Sequence, residues 1–133
     1  MSAQPTVAPT VAIIGASSDR RKYGNKAVRA HLHAGYSVCP VHPTETSVEG
    51  LPAYRTLADI PATHLDRVTL YVPPSVGLTL LESLTTKPSS ELILNPGTHT
   101  PELIARAEAL GLNPVTGCSI LMAGVTPGMF PDE

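Results

Sequence analysis

The chain has 133 residues, enough for one domain with a single core and too few for a catalytic domain beside a separate cofactor domain. Hydrophobic residues make up 42% and charged residues 15%, the balance of a compact globular protein rather than a disordered one. A net charge of −2 gives no basic excess to neutralise a nucleic-acid backbone, and 4% aromatics without tryptophan supply no base-stacking platform.

Residues 1–9 carry neither the basic nor the apolar region of a secretory signal and read as a loose tail, which leaves 10–133 as the domain. No apolar run approaches a membrane-spanning length, so no membrane association is expected. Cys39 and Cys118 have neither metal spacing nor a disulfide framework, which fits a reducing, cytoplasmic setting.

From there apolar runs alternate with helical patterns, the signature of βαβ units and a parallel sheet. Strands are predicted at Val11–Gly15, Tyr36–Val41, Val68–Val72, Leu92–Leu94 and Pro114–Thr116, with Pro40 marking a second strand that is frayed or near its end there. The first helix spans Asn25–Ala34 and stops at Gly35. A second follows Ser75 as N-cap, with Val76, Leu80 and Leu84 four apart. The third is capped by Thr100, has Pro101 first, ends at Gly111, and allows a Glu102–Arg106 pair. Between the second and fourth runs, His42–Asp66 is looser, with one short extended piece at Ala53–Tyr54 read as a minor edge strand.

The chemistry concentrates where the first strand ends. Gly15, Ala16, Ser17 and Ser18 break an apolar run ahead of a helix, which offers free backbone N–H groups and hydroxyls to a phosphate. The pattern is not G-x-G-x-x-G, because Ser17 and Arg20 stand where the later glycines belong. With the Tyr54 piece third in the chain, the strand order 3-2-1-4-5-6 brings the first and fourth strands together at the switch point. The second wall of that crevice is then Val72, Pro73 and Pro74, after Tyr71.

Arg20, Arg21 and Lys22 form the only basic cluster, directly after the glycine turn, and are expected to read ligand phosphates. The second strand lacks the acid that holds a ribose in NAD domains, since Glu45 comes later, and this disfavours NAD. His31 and His33 are two apart and cannot share a metal face, while His64 and His99 read as solvent-exposed. His42 sits at a strand's carboxyl end, near the crevice. No nucleophile–base arrangement, carboxylate pair or metal site emerges.

These residues resemble the small stand-alone coenzyme A-binding proteins, which share their fold with the N-terminal domain of the succinyl-CoA synthetase α subunit. The resemblance runs from about Val11 to Cys118. It rests on Gly15-Ala16-Ser17, Gly35-Tyr36 to Pro43, Tyr54 with Thr56-Leu57-Ala58-Asp59-Ile60-Pro61, the Gly97 loop, Ala107 to Gly111 and Cys118. Tyr71-Val72-Pro73-Pro74 is nearer the synthetase version.

The resemblance implies a single Rossmann-like α/β domain, doubly wound, with a five- to six-stranded, mostly parallel sheet holding coenzyme A or an acyl-CoA. It also implies that Gly15 to Ser18 meet the pyrophosphate, and that His42, Pro43 and Thr44 flank the adenosine. Val72, Pro73, Pro74, Asn95, Pro96 and Gly97 then form the other wall. Thr44 stands where the family often has lysine, and Ile93 and Asn95 replace a Trp and a Gln. The leading expectation is non-catalytic binding. The alternatives are a small acyl-CoA or nucleotide enzyme using Cys118 or His42, or a subunit that becomes catalytic only with a partner chain. A homodimer or a larger protein partner is left open.

Overall fold

The computed structural model describes residues 8–133, so the expected tail lies largely outside the described residues. Strand β1 (Thr10–Ile14) runs through the centre, and helix α1 (Tyr23–His33) leads to β2 (Ser37–Val41). A short hairpin of β3 (Ser47–Val48) and β4 (Leu51–Pro52) follows, then β5 (Arg67–Leu70), α2 (Pro74–Leu80) and β6 (Leu92–Leu94). Helix α3 (Pro101–Ala109), β7 (Pro114–Thr116) and the short α4 (Ser119–Met122) complete the chain.

The main sheet has the order β2-β1-β5-β6-β7 and is parallel throughout. Tyr54 makes one parallel bridge to Val41 on the outer side of β2, so the expected minor edge strand is a single residue pair in the third-strand place. The register aligns Ile14 with both Val41 and Leu70, which brings the carboxyl ends of three strands level beside each other.

Side chains alternate across β1 with period two. Val11 and Ile13 join Ala27, Val28, Ala30 and Ile120 on the face covered by α1 and α4. Ala12 and Ile14 join Leu57, Leu70, Leu81, Leu94 and Leu103 on the opposite face. Strand β1 is thus apolar on both sides, as a sheet covered twice requires, whereas β5 buries Arg67 and Thr69 on one of its faces.

Three local expectations change. The N-cap position of α2 is Pro73 and its first residue Pro74, so Ser75 lies inside the helix. A proline needs no N–H partner there, and its fixed φ starts the helix without a cap. Arg106 pairs with Glu82 at 3.2 Å rather than with Glu102, tying α3 to the segment after α2. The β3–β4 hairpin falls inside the region read as loose. Its two-residue turn is Glu49-Gly50, both with positive φ (50° and 78°), the backbone that a tight hairpin demands. The cap of α3 is as expected: Thr100 Oγ accepts from the Leu103 N–H at 3.2 Å, and Gly111 (φ 78°) follows its end.

Among the described residues, no helix is long and apolar enough to cross a membrane, and no cluster of three or more His, Cys, Asp or Glu is placed to hold a metal ion.

Candidate ligand-binding site

A cavity of about 680 Å³ opens beyond the carboxyl ends of β1, β2 and β5. This is the switch point, where α1 leaves toward one face of the sheet and α2 toward the other.

The first wall is the Gly15 turn and the start of α1. Gly15 has φ 90°, and a Cβ on it would lie 2.5 Å from the Tyr71 carbonyl oxygen. Only glycine fits. Gly24, in the first turn of α1, is equally constrained, since a Cβ there would lie 2.3 Å from the Gly15 oxygen. The close helix-to-turn approach that the third glycine of G-x-G-x-x-G provides is therefore made by a glycine nine positions on, after a longer loop. Gly15, Ser17, Lys22, Tyr23 and Gly24 all line the cavity.

The loop between them is closed by its own bonds. Ser17 Oγ accepts from the Asp19 N–H at 3.0 Å, and Asn25 Nδ2 donates to the Ser17 carbonyl at 2.8 Å. Arg20 makes a two-pronged contact with Glu49 of the hairpin turn, 3.2 Å from Nε and 2.9 Å from Nη2. Arg21 does the same with Asp19, whose carboxyl falls to about 2 because the Arg21 hydrogen bonds favour its charged form. Of the basic cluster, Lys22 is the member on the cavity wall; Arg20 and Arg21 are spent on loop carboxylates. Ala16 is buried beneath the turn. Ser18 lies outside the lining, its N–H donating to Glu45 at 2.9 Å and its hydroxyl bonded to the same carboxylate.

On the β2 side, His42 and Pro43 line the cavity, and Thr44 does not. The N–H groups of Thr44 and Glu45 donate to His42 Nδ1 at 3.1 and 3.0 Å, so that nitrogen carries no proton and Nε2–H is the remaining donor. Nε2 lies 4.0 Å from Glu45 Oε2.

The opposite wall comes from Tyr71, Val72 and Pro73, from Val76 and Leu80 of α2, and from Leu84 beyond it. The four-apart apolar stripe of the second helix therefore faces the cavity, and Val76 is 43% exposed there. Pro74 starts α2 and stays outside the lining. Pro96 and Gly97 close one end.

Asn95 has a different place: its Nδ2 donates to Thr69 Oγ1 (2.6 Å) and to the Leu70 carbonyl (2.7 Å), while Oδ1 accepts from Ser119 N–H (2.9 Å). This buried amide staples three strand ends and borders a second cavity of about 340 Å³, with Cys118. Tyr71 joins the network through Ser119 Oγ at 2.7 Å, and burial pushes its phenol up to about 12. Arg55 and Thr56, past the Tyr54 bridge, also line the main cavity, and the sequence reading missed Arg55. Its signal was a lone basic residue between Tyr54 and Thr56, ordinary for a surface loop.

The family model described as CoA binding domain matches residues 9–124. No functionally curated protein matches the chain. Among solved structures, a conserved hypothetical protein from Pyrococcus furiosus is 29% identical, with a TM-score of 0.78 over 86% of this chain and 98% of that one. A hypothetical protein from Pyrococcus horikoshii OT3 is 26% identical, with a TM-score of 0.77 over 85% and 79%. The dinucleotide forming acetyl-coenzyme A synthetase 1 of Ca. Korarchaeum cryptofilum shares the fold: 24% identity and a TM-score of 0.66 over 80% of this chain and 25% of that one.

Proposed function

The chain belongs to the CoA binding domain family, and from that premise we propose that it holds coenzyme A, or an acyl-CoA, in the main cavity without reacting with it. The observation that carries this reading is the meeting of the Gly15 turn, His42-Pro43, Val72-Pro73 and Pro96-Gly97 around one space of about 680 Å³. In this reading the pyrophosphate lies at the first turn of α1, where N–H groups and the helix dipole favour an anion. Lys22 pairs with it, His42 and Pro43 flank the adenosine, and Pro96 and Gly97 face the pantetheine arm.

The titratable groups on the cavity wall are Lys22, Tyr23, His42, Arg55 and Tyr71. Tyr71 is a weak acid there, and His42 Nδ1 accepts from the backbone N–H groups of Thr44 and Glu45, with the Thr44 hydroxyl also at 3.4 Å.

The test is thermal unfolding of the full chain with CoA and with NAD at equal concentrations. Ligand bound only by the native state stabilises it by mass action, by about 2.7 kcal/mol at a hundredfold excess over Kd, and so raises the midpoint. CoA is expected to give the larger shift, and an equal or larger shift with NAD would overturn the reading.

A further inference from the structure

The cavity carries positive charge at two separate places. Lys22 caps α1, which packs on one face of the sheet; Arg55 precedes Leu57, which packs on the other. Both line the cavity, and among the described residues neither has a carboxylate partner. The arginines of the first loop and of α1 are already engaged: Arg20 by Glu49, Arg21 by Asp19, Arg29 by Asn25 and the Arg20 carbonyl.

The backbone around Arg55 is fixed on both sides. Before it, the Tyr54 N–H donates to the Pro40 carbonyl at 2.9 Å, and the Tyr54 carbonyl accepts from His42 N–H at 2.9 Å. After it, Thr56 and Asp59 are tied together: the Asp59 carboxylate accepts from Thr56 N–H (3.2 Å) and Thr56 Oγ1 (3.0 Å), and the Asp59 N–H donates to the Thr56 carbonyl (3.2 Å). An arginine whose backbone is anchored beside a cavity and whose guanidinium is uncommitted is available to an anion, and its planar fork matches the oxygens of a phosphate monoester. A cavity with one such seat and a second at a helix N-terminus suits a ligand with two separate phosphate groups.

We propose that Arg55 is the second anion seat and reads a phosphate distinct from the one at α1. Under the coenzyme A reading, on which this inference rests, that group is the 3′-phosphate on the adenosine ribose. Arg55 is then the residue that separates CoA from dephospho-CoA.

Titration calorimetry of wild type, Arg55→Ala and Arg55→Lys with both ligands tests it. Arg55→Ala should weaken CoA about tenfold, equivalent to about 1.4 kcal/mol, and dephospho-CoA by less than about twofold. Arg55→Lys keeps the charge without the fork and should recover part of the loss. An equal loss for both ligands, or none for CoA, overturns the assignment, as does a wild type that binds the two equally; in each case CoA binding itself stands. A wild type that binds neither ligand overturns the coenzyme reading and the role of Arg55 with it. Should Arg55→Ala fail to fold, the Arg55→Lys ratio of the two affinities decides by the same criterion.

Discussion

At the amino end of the sheet Arg67 is 8% exposed and its guanidinium is engaged from several sides, whereas Lys22 and Arg55 at the carboxyl end face open space. Arg67 Nε donates to Glu91 at 2.6 Å, Nη1 to His31 Nε2 at 3.2 Å, and the group lies 5.4 Å over the Tyr36 ring. His31 in turn donates from Nδ1 to the Ala27 carbonyl at 2.8 Å, which leaves Nε2 bare to accept from Arg67. The chain has supplied every partner at one end and withheld them at the other. A cation with its partners built in is a structural part, while one without them is available to a ligand.

The largest expected effect comes from closing the open end. Gly15→Ala places a Cβ against the Tyr71 carbonyl at a positive φ, and should cost about 2–4 kcal/mol of stability and abolish CoA binding. Denaturant midpoints and calorimetry check both, and normal binding by a folded variant would locate the ligand elsewhere.

Arg67→Met attacks the closed end instead. It leaves Glu91 and the His31 ring nitrogen without their cation and should cost about 2–3 kcal/mol, with CoA affinity unchanged. A loss of affinity without a loss of stability would erase the distinction between the two ends.

A smaller effect is expected from the loop arginine and lysine taken singly. Lys22→Ala should weaken CoA about five- to tenfold, most at low salt, because an exposed charge pair is screened. Arg21→Ala should change affinity by less than about twofold, since Asp19 already holds that guanidinium. Equal losses in the two variants would show that loop pairing does not withdraw Arg21 from the ligand.

The gentlest effect is on pH dependence. Burial, aided by the neighbouring Arg67 charge and opposed by the Ala27 hydrogen bond, holds the His31 pKa below its ordinary value near 6.5. The unfolded chain therefore takes up a proton that the folded protein refuses, and stability should begin to fall as pH drops through about 6.5. This precedes the acid loss from Asp19 and Glu49, whose lowered values place their contribution at lower pH. His31→Gln should flatten the upper part of that slope in pH-dependent melts, and an unchanged slope would mean the ring is not the group that titrates.

What was legible in the sequence follows from how local its cause is. The β1 run, the Gly15 turn and the Thr100-Pro101 to Gly111 helix each rest on neighbours in the chain, and the structure has them within a residue or two. The Glu49-Gly50 hairpin turn was equally local but lacked the Asn-Gly form that usually marks it. Asn95, Arg55 and the His31–Arg67–Glu91 cluster were not legible, because their roles are set by elements far along the chain, and Gly24 was not because its loop from Gly15 is longer than the G-x-G-x-x-G spacing. Periodicity found the Val76-Leu80-Leu84 stripe and could not say that it faces a cavity, since an apolar cavity wall and a core have the same spacing.

Both outer strands of the sheet contain proline, Pro40 in β2 and Pro114 at the start of β7. Along β2, the N–H of His42 points outward to Tyr54, so Pro40, two residues earlier, is the position whose outward donor is missing. The Pro40 carbonyl is itself covered by the Tyr54 N–H. On the far flank β7 is three residues long and begins with a residue that cannot donate. An approaching strand from another molecule thus meets a flank already capped on one side and too short to template pairing on the other, a built-in defence against edge-to-edge aggregation.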